Sequence, residues 1–341
     1  MQHAEKELVN HVKLCDGKGQ LNPESIGYAR QPLIESNLEG RFLRKKKWNY
    51  WCVYGEEIVF SATISHLDYA AVCFVYFLHY ETQRFFEKTV TIPLSRQTKM
   101  GSHVLESCVF EDDKMSIHLV YDKLLDKTKM KVRVRDFDGD SLEADLEILH
   151  LEGNESLNVV IPWNRRTFQF TAKHHLLPTS GTVRVGEQEY HFKPEDNFSI
   201  LDYGRGVWPR EAVWNWGMAS QRSNGQLIGL NFGGQWTDGT GMTENAFFLN
   251  GKMTKIHEDV LFEYDRSDYE AQWTVRTKFS DDVHLTFTPF FERIAKTDAK
   301  LIRSEVHQLF GYYNGYVRQP DGKKIRIKQL LGAIEEHDAK W

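Results

Sequence analysis

The stretch 206-GVWPREAVWNWGMASQRSNGQLIGLNFGGQWTDGTGMTEN-245 decides how this chain folds. Val213, Asn215 and Gly217 belong to one face of an extended segment, and Trp214 and Trp216 to the other. Further on, Leu227, Gly229 and Asn231 alternate with Ile228, Leu230 and Phe232. Between the two runs stands Asn224-Gly225, a dipeptide that tolerates the positive φ of a tight hairpin turn. Two strands joined in this way are antiparallel neighbours. The same stretch carries four of the nine tryptophans and the acids Asp238 and Glu244. That mixture suits either the wall of a binding cavity or a tightly packed pair of strands.

Alternation of the same kind continues along the chain. Met115, Ile117, Leu119 and Tyr121 share a face, as do Met130, Val132 and Val134, and Leu142, Ala144, Leu146 and Ile148. Later come Trp273, Val275 and Phe279, then Val283, Leu285 and Phe287, then Ile325 and Ile327. Asp138-Gly139, Asn250-Gly251 and Pro320-Asp321-Gly322 supply further turns. The pattern predicts about sixteen to eighteen strands, mostly hairpin-connected. Helical signals are confined to a turn capped at Asn22-Pro23-Glu24-Ser25 and to the tail LLGAIEEHDAKW, which reads as a short helix or an edge strand. So many antiparallel strands need two sheets or closed barrels. The expected fold is therefore all-β, with two antiparallel barrels or sandwiches packed together. The break in alternation at Trp163-Asn164-Arg165-Arg166 puts the division at 1–165 and 166–341, to within tens of residues.

The totals exclude several classes. With 341 residues, 41% hydrophobic, 27% charged and a formal charge of −5, the chain has ample core material and no nucleic-acid footprint. The basic run Arg44-Lys45-Lys46-Lys47 is short and reads as solvated. The stretch MQHAEKELVNHVKLC lacks the apolar segment of a secretory signal. The longest apolar-rich run, YAAVCFVYFLHY at 69–80, is too short for an integral membrane segment and reads as a buried strand. Cys15, Cys52, Cys73 and Cys108 lie far apart without metal-site spacing, which points to small buried hydrophobes and a cytoplasmic location. Gly233-Gly234 and Gly239-Thr240-Gly241 make no dinucleotide fingerprint or phosphate loop. No cofactor and no metal are expected.

The chemistry-bearing candidates are acids and aromatics. Asp202 precedes YGRG, Asp238 sits before a glycine and reads first as a turn residue, and Glu244 precedes Asn245. Paired carboxylates in an apolar cavity serve as acid and base when burial raises one pKa. Asn215 and Asn231 are polar positions that either line a ligand cavity or bond across the hairpin. His174-His175 point to opposite strand faces, and His191 in EYHF can face either way. The Glu335-Glu336-His337 cluster reads as surface chemistry. In KWNYWCV, Trp48, Tyr50 and Cys52 share one face while Asn49 and Trp51 share the other, as expected of a strand between two barrels.

The segments LCDGKGQLN, KWNYWCV, DYAAVCFVYF, HLLPTSGTVRVG, LDYGRGVWP, GLNFGGQWTDGTGMTENAFF and the GAIEEHDAKW tail resemble, nearly end to end, a bacterial family known as domain of unknown function 2804. More distantly, SGTVRVGEQEYHF, DYGRG and WNW resemble carotenoid hydratases and tocopherol cyclases. That resemblance implies a pair of lipocalin-like barrels acting on apolar substrates without metals or nucleotides. Asp202 matches the Asp-containing segment of those proteins.

Together these readings describe a protein that encloses a small, largely apolar molecule, with homodimerisation an option. As an enzyme it would be a cofactor-free acid/base catalyst of hydratase, cyclase or isomerase type. Asp202 would be the leading proton donor and Glu244 or His191 its partner. Trp208, Trp214, Asn215, Trp216, Asn231, Trp236 and Asp238 would line the ligand. The alternatives are a non-catalytic lipocalin-like carrier and a carbohydrate-processing enzyme using paired carboxylates.

Overall fold

The computed structural model describes residues 4–299 and 302–341; residues 1–3, the start of the N-terminal stretch discussed above, lie outside it. Twenty-five strands and one 3₁₀ turn make up the regular structure of the described residues. The strand count exceeds the expected one because short bridging strands such as Tyr28–Ala29 leave no alternation to read. The 3₁₀ turn is Pro23–Ser25, capped by the Asn22 side chain, which accepts from the Glu24 amide. The tail is a strand, Lys324–Lys340, and it lies mid-sheet rather than at an edge.

Apart from a short parallel pair, Val12–Lys13 with Ile34–Glu35, the strands form two large antiparallel sheets, each curled on itself. The first has fourteen strands, with Lys45–Tyr54, Phe198–Val207 and Phe168–Val185 adjacent at its centre. The second has nine, with Gln226–Gly234, Glu211–Ser223, Lys324–Lys340 and Ile302–Arg318 adjacent at its centre. The opening stretch is the predicted hairpin: Ser223 pairs with Gln226 around Asn224-Gly225, both at positive φ. The expected division at 165–166 falls within the first sheet, because Phe168–Val185, Gln188–Phe192 and Phe198–Val207 all pair there. The second sheet begins at Glu211.

Alternation assigns each strand face to one of three compartments. Trp51, Val53, Phe168, Phe170, Leu201 and Tyr203 fill the inside of the first curl with the 115–148 aliphatics. Ile228, Leu230, Phe232, Trp273, Leu285 and Ile334 fill the second. Phe279, grouped by alternation with Trp273 and Val275, is instead 81% exposed because its strand ends at Thr277. The third compartment is the slot between the sheets. There Tyr50, Cys52, Tyr54, Tyr76 and Ile200 of the first meet Trp216, Met218, Phe310 and Ala333 of the second. Trp48, Tyr50 and Cys52 do face the other sheet, while Trp51 turns into the first curl. Both curls are filled by their own side chains, so the tryptophans of the opening stretch wall the space between barrels and not a hollow inside one.

Gly204 shows why glycines sit among these aromatics. A Cβ there would collide with the Trp48 ring and the Gln169 amide, both of which cross its face. Gly204→Ala should therefore lower the unfolding free energy by about 1–3 kcal/mol through overpacking. Urea denaturation measures this, and an unshifted midpoint would show that the contact yields freely.

Candidate active site between the two sheets

Lys173 is the organising residue. It lies in Phe168–Val185, on the same face as Gln169 and Thr171, and its side chain is only 5% exposed. Its Nζ is 2.9 Å from Asp202 Oδ1 and 3.1 Å from Glu244 Oε2, and 4.2 Å from the centre of the Trp216 ring. Asp202 faces Lys173 directly in the strand ladder, whereas Glu244 arrives from the second sheet, in the loop after Gln226–Gly234. The ammonium therefore joins the two sheets.

Each carboxylate has further donors. Asp202 Oδ2 accepts from Trp48 Nε1 at 3.1 Å, and Oδ1 accepts from the Thr171 hydroxyl at 3.2 Å. Glu244 Oε1 accepts from Trp236 Nε1 at 2.7 Å. Gly233 allows this approach, since a Cβ at 233 would overlap the Glu244 carboxylate. Burial alone would discharge Lys173, but the two facing carboxylates outweigh it and hold its pKa above the ordinary lysine value. Burial raises the pKa of Glu244, against the pull of Lys173 and with Asp202 adding to the rise.

A third acid stands beside this group. Glu335, on Lys324–Lys340, accepts from Trp214 Nε1 at 3.2 Å and from Gln308 Nε2 at 3.0 Å. Burial pushes its pKa up to about 7, offset only in part by the Trp214 bond and by the charges of Arg293 and Lys173. Glu335 and Glu336 are buried rather than superficial, and alternation sends them to opposite faces. Glu336 turns into the second curl, where Tyr264, Tyr269 and Arg266 donate to it. His337 is desolvated by burial to about 3, so it is neutral, with its ring 4.0 Å from that of Trp214.

The remaining expected residues divide. Trp208 is the hub of a tryptophan cluster, with ring centroids 4.8 Å from Trp163, 5.1 Å from Trp236 and 5.4 Å from Trp214. Asn231 accepts from Trp216 Nε1 at 2.9 Å and donates to the Glu244 carbonyl at 2.6 Å, so it braces the site. Asn215 points into the second curl instead, bonding Tyr264 and Gln235. Asp238 lies in an exposed turn and accepts from the Gln235 amide. His191 is on the outer surface, 67% exposed and paired with Glu189, remote in the ladder from Asp202; the EYHF alternation could not say which side of that strand is solvated. Lys173 and Gln308 were not singled out from the sequence, and Glu335 was read there only as part of a surface cluster. A lysine inside the otherwise uncharged run FQFTAKHH was the available signal. Among the described residues, no three His, Cys, Asp or Glu side chains are grouped to hold a metal ion. Two open clefts, of about 470 and 400 Å³, lie elsewhere, one beside Arg30 and Lys255 and the other beside Glu211 and Arg303.

Two curled antiparallel sheets packed face to face define a two-barrel fold. Kievitone hydratase from Nectria haematococca superposes with a TM-score of 0.53 at 10% identity, covering 86% of this chain and 88% of that one. An AttH-like protein from Nitrosomonas europaea superposes at 0.51 and 10% identity, covering 87% and 92%. At such identity the likeness concerns the fold alone. The chain belongs to the family described as domain of unknown function DUF2804, whose model matches residues 5–341. No curated protein matches it by sequence.

The raised pKa of Glu335 has a definite consequence for stability. A carboxyl whose folded pKa lies above its unfolded value keeps its proton longer in the folded state. Its contribution is therefore fully present at low pH and is lost as pH rises from about 4.5 to about 7. Glu335→Gln removes that loss. The unfolding free energy of E335Q minus that of the wild type should rise by about 2–3 kcal/mol between pH 4.5 and pH 8. A difference that stays flat with pH would mean Glu335 titrates as an ordinary surface acid.

Proposed function

We propose that this protein is a cofactor-free acid/base enzyme, of hydratase, cyclase or isomerase type, acting on a small, largely apolar molecule in the slot between its sheets. The observation that carries the reading is the buried Lys173–Asp202–Glu244 group, walled by tryptophans, with Glu335 held near neutral pKa beside it. Ionised groups are costly in such a place unless each is paired, and near-neutral acids are the groups best matched to proton transfer at physiological pH. Kievitone hydratase, with the same fold, is a hydratase by name.

Roles follow from the hydrogen bonds. Asp202 receives three donors, one of them an ammonium, so it serves as an acceptor and anchor rather than as the proton donor. Glu335 receives two neutral donors and no bonded cation, and it is the proton donor of this proposal. Lys173 and Glu244 fix the local field, and a developing positive charge on the substrate would meet the net negative group of one ammonium and two carboxylates. The tryptophan walls exclude water from that charge. Paired-carboxylate carbohydrate chemistry fits less well, since the Lys173 ammonium fills the space between Asp202 and Glu244 where a glycosidic oxygen would have to stand.

The test begins with mass spectrometry of organic extracts from protein purified from its host, which should return an apolar small molecule. Turnover of that compound, or of its direct precursor, by E335Q should fall at least about 100-fold while its Kd shifts by less than about threefold. Wild-type turnover in E335Q would remove Glu335 from the chemistry, and a polar sugar in the extract would overturn the substrate class. Separately, Lys173→Met leaves two buried carboxylates unpaired and should destabilise the fold by about 3–5 kcal/mol at pH 8. The loss should shrink towards pH 5 as burial favours protonation of Glu244, as measured by urea midpoints.

A further inference from the structure

One end of the molecule carries a charge and a shape that the acid/base group does not use. The Arg44 amide bonds the Arg41 carbonyl at 3.0 Å, so Phe42 and Leu43 are the central residues of a tight turn. Phe42 is 79% exposed and Leu43 41%. Leu94, 54% exposed, is linked to the same turn through Asp68 and Tyr69. Its amide bonds the Tyr69 carbonyl at 2.7 Å, and Asp68 accepts from the amides of Arg44 and Lys45 at 3.1 Å.

Further contacts extend this rim. The Arg41 guanidinium reaches the Gly19 carbonyl at 3.4 Å, and Arg165 lies 3.3 Å from Asp16 in that neighbouring loop. Arg44 donates to the Trp208 carbonyl at 2.8 Å, and the Trp341 amide donates to the Arg210 carbonyl at 2.9 Å. Residues 16–20, 39–47, 67–70, 94–97, 163–167 and 208–211 therefore border one another, at the Lys45 and Val207 ends of the first sheet and the Glu211 and Lys340 ends of the second. They hold ten Lys and Arg side chains against four Asp and Glu, in a chain whose formal charge is −5. The run Arg44-Lys45-Lys46-Lys47 is not simply solvated. Lys46 is buried, with its ammonium 4.3 Å from the centre of the Tyr69 ring and 5.5 Å from that of Trp341. Burial pushes its pKa down to about 8, which leaves it mostly protonated at neutral pH.

Scattered exposed apolar side chains are ordinary, so charge decides which of them signify. Leu124 and Leu125 project from 122–127, which carries two aspartates and two lysines. Phe279 projects from 278–282, which carries one lysine and two aspartates. Strand register also puts Phe279 at the opposite end of the second sheet, since Val283 pairs with Val317 and Arg303 with Lys340. Only the Phe42 turn joins apolar tips to a basic surround. That combination fits a surface that is anionic outside and hydrocarbon a few ångströms deeper. Indole rings suit the level between, and Trp163 and Trp341 are partly exposed here. Trp208 stands 5.8 Å from both Trp341 and Trp48, so indoles connect the rim to the Lys173 group.

We propose that this rim is the face by which the protein lies on an anionic lipid bilayer. Phe42, Leu43 and Leu94 enter the boundary between headgroups and acyl chains, and the basic side chains meet the lipid phosphates. The inference stands on the surface alone and holds whether or not Glu335 is the proton donor.

Cosedimentation of the full chain with lipid vesicles tests it. Phosphatidylcholine vesicles with about 30% phosphatidylglycerol should bind at least about tenfold more strongly than pure phosphatidylcholine. Salt at about 0.5 M should remove most of that excess. Phe42→Ser should weaken binding to the anionic vesicles at least about fivefold with an unchanged urea midpoint, since the side chain is already in water. Phe279→Ser should leave binding as it was. The triple variant Arg96→Gln/Arg166→Gln/Arg210→Gln, at three exposed positions, should weaken it at least about tenfold. Equal binding to the two vesicle types, or wild-type binding by Phe42→Ser, would overturn the proposal. Binding to neither would also overturn it and leave an acidic protein as the partner that the rim fits.

Discussion

An ammonium shut away from water must keep its countercharges within bonding distance, and Lys173 finds them on two different sheets. Asp202 comes from the neighbouring strand of the first sheet and Glu244 from a loop of the second. Replacing such a group by packed apolar side chains is often neutral or stabilising, whereas removing one member is severe. The group therefore acts less as a source of net stability than as a register pin. It permits one relative placement of the sheets, in which Trp48, Trp216 and Trp236 close around it.

That placement determines the chemistry available. The indole N–H groups of Trp48, Trp214 and Trp236 each donate to a carboxylate, so the tryptophans serve as apolar wall and hydrogen-bond donor at once. Neutral donors satisfy an acid without forcing it to ionise, and this is what separates Glu335 from Asp202. The histidines of the region follow the same logic of desolvation. His175, pushed by burial to about 4, is a neutral ring with a single N–H to donate, its two nitrogens lying beside the Ala219 carbonyl and the Asn231 amide oxygen, and it contributes no charge to the slot.

The architecture was legible because strand alternation and Asn-Gly turns are local signals. Trp214 and Trp216 against Val213 and Asn215 announced a two-faced strand, and the hairpin at 224–225 announced its partner. Which face belonged to which compartment was not legible, because both faces of Glu211–Ser223 are buried and periodicity carries no sign. Asn215 therefore ended in the second curl and Asn231 in the slot, although both are single asparagines in apolar strands. Asp202 and Glu244 stood out as acids lacking a turn to explain them. Glu335 did not, since its neighbours Glu336 and His337 make a run that looks solvated until the strand is seen to run through the middle of a sheet. Lys173 hid for a different reason: its counterions lie 29 and 71 residues away along the chain.

The central ladder of the first sheet also bears on how the chain comes to be folded. Lys45–Tyr54 pairs with Phe198–Val207, so the strand that completes its hydrogen bonds is about 150 residues downstream. Until that partner has been synthesised, the KWNYWCV segment is an unpaired edge with aromatics on both faces. Contacts of such sequence separation favour slow collapse and leave sticky intermediates exposed on the way. Closure of this ladder must therefore wait for residues 198–207, with the tryptophan-bearing strands as the segments that a chaperone would shield.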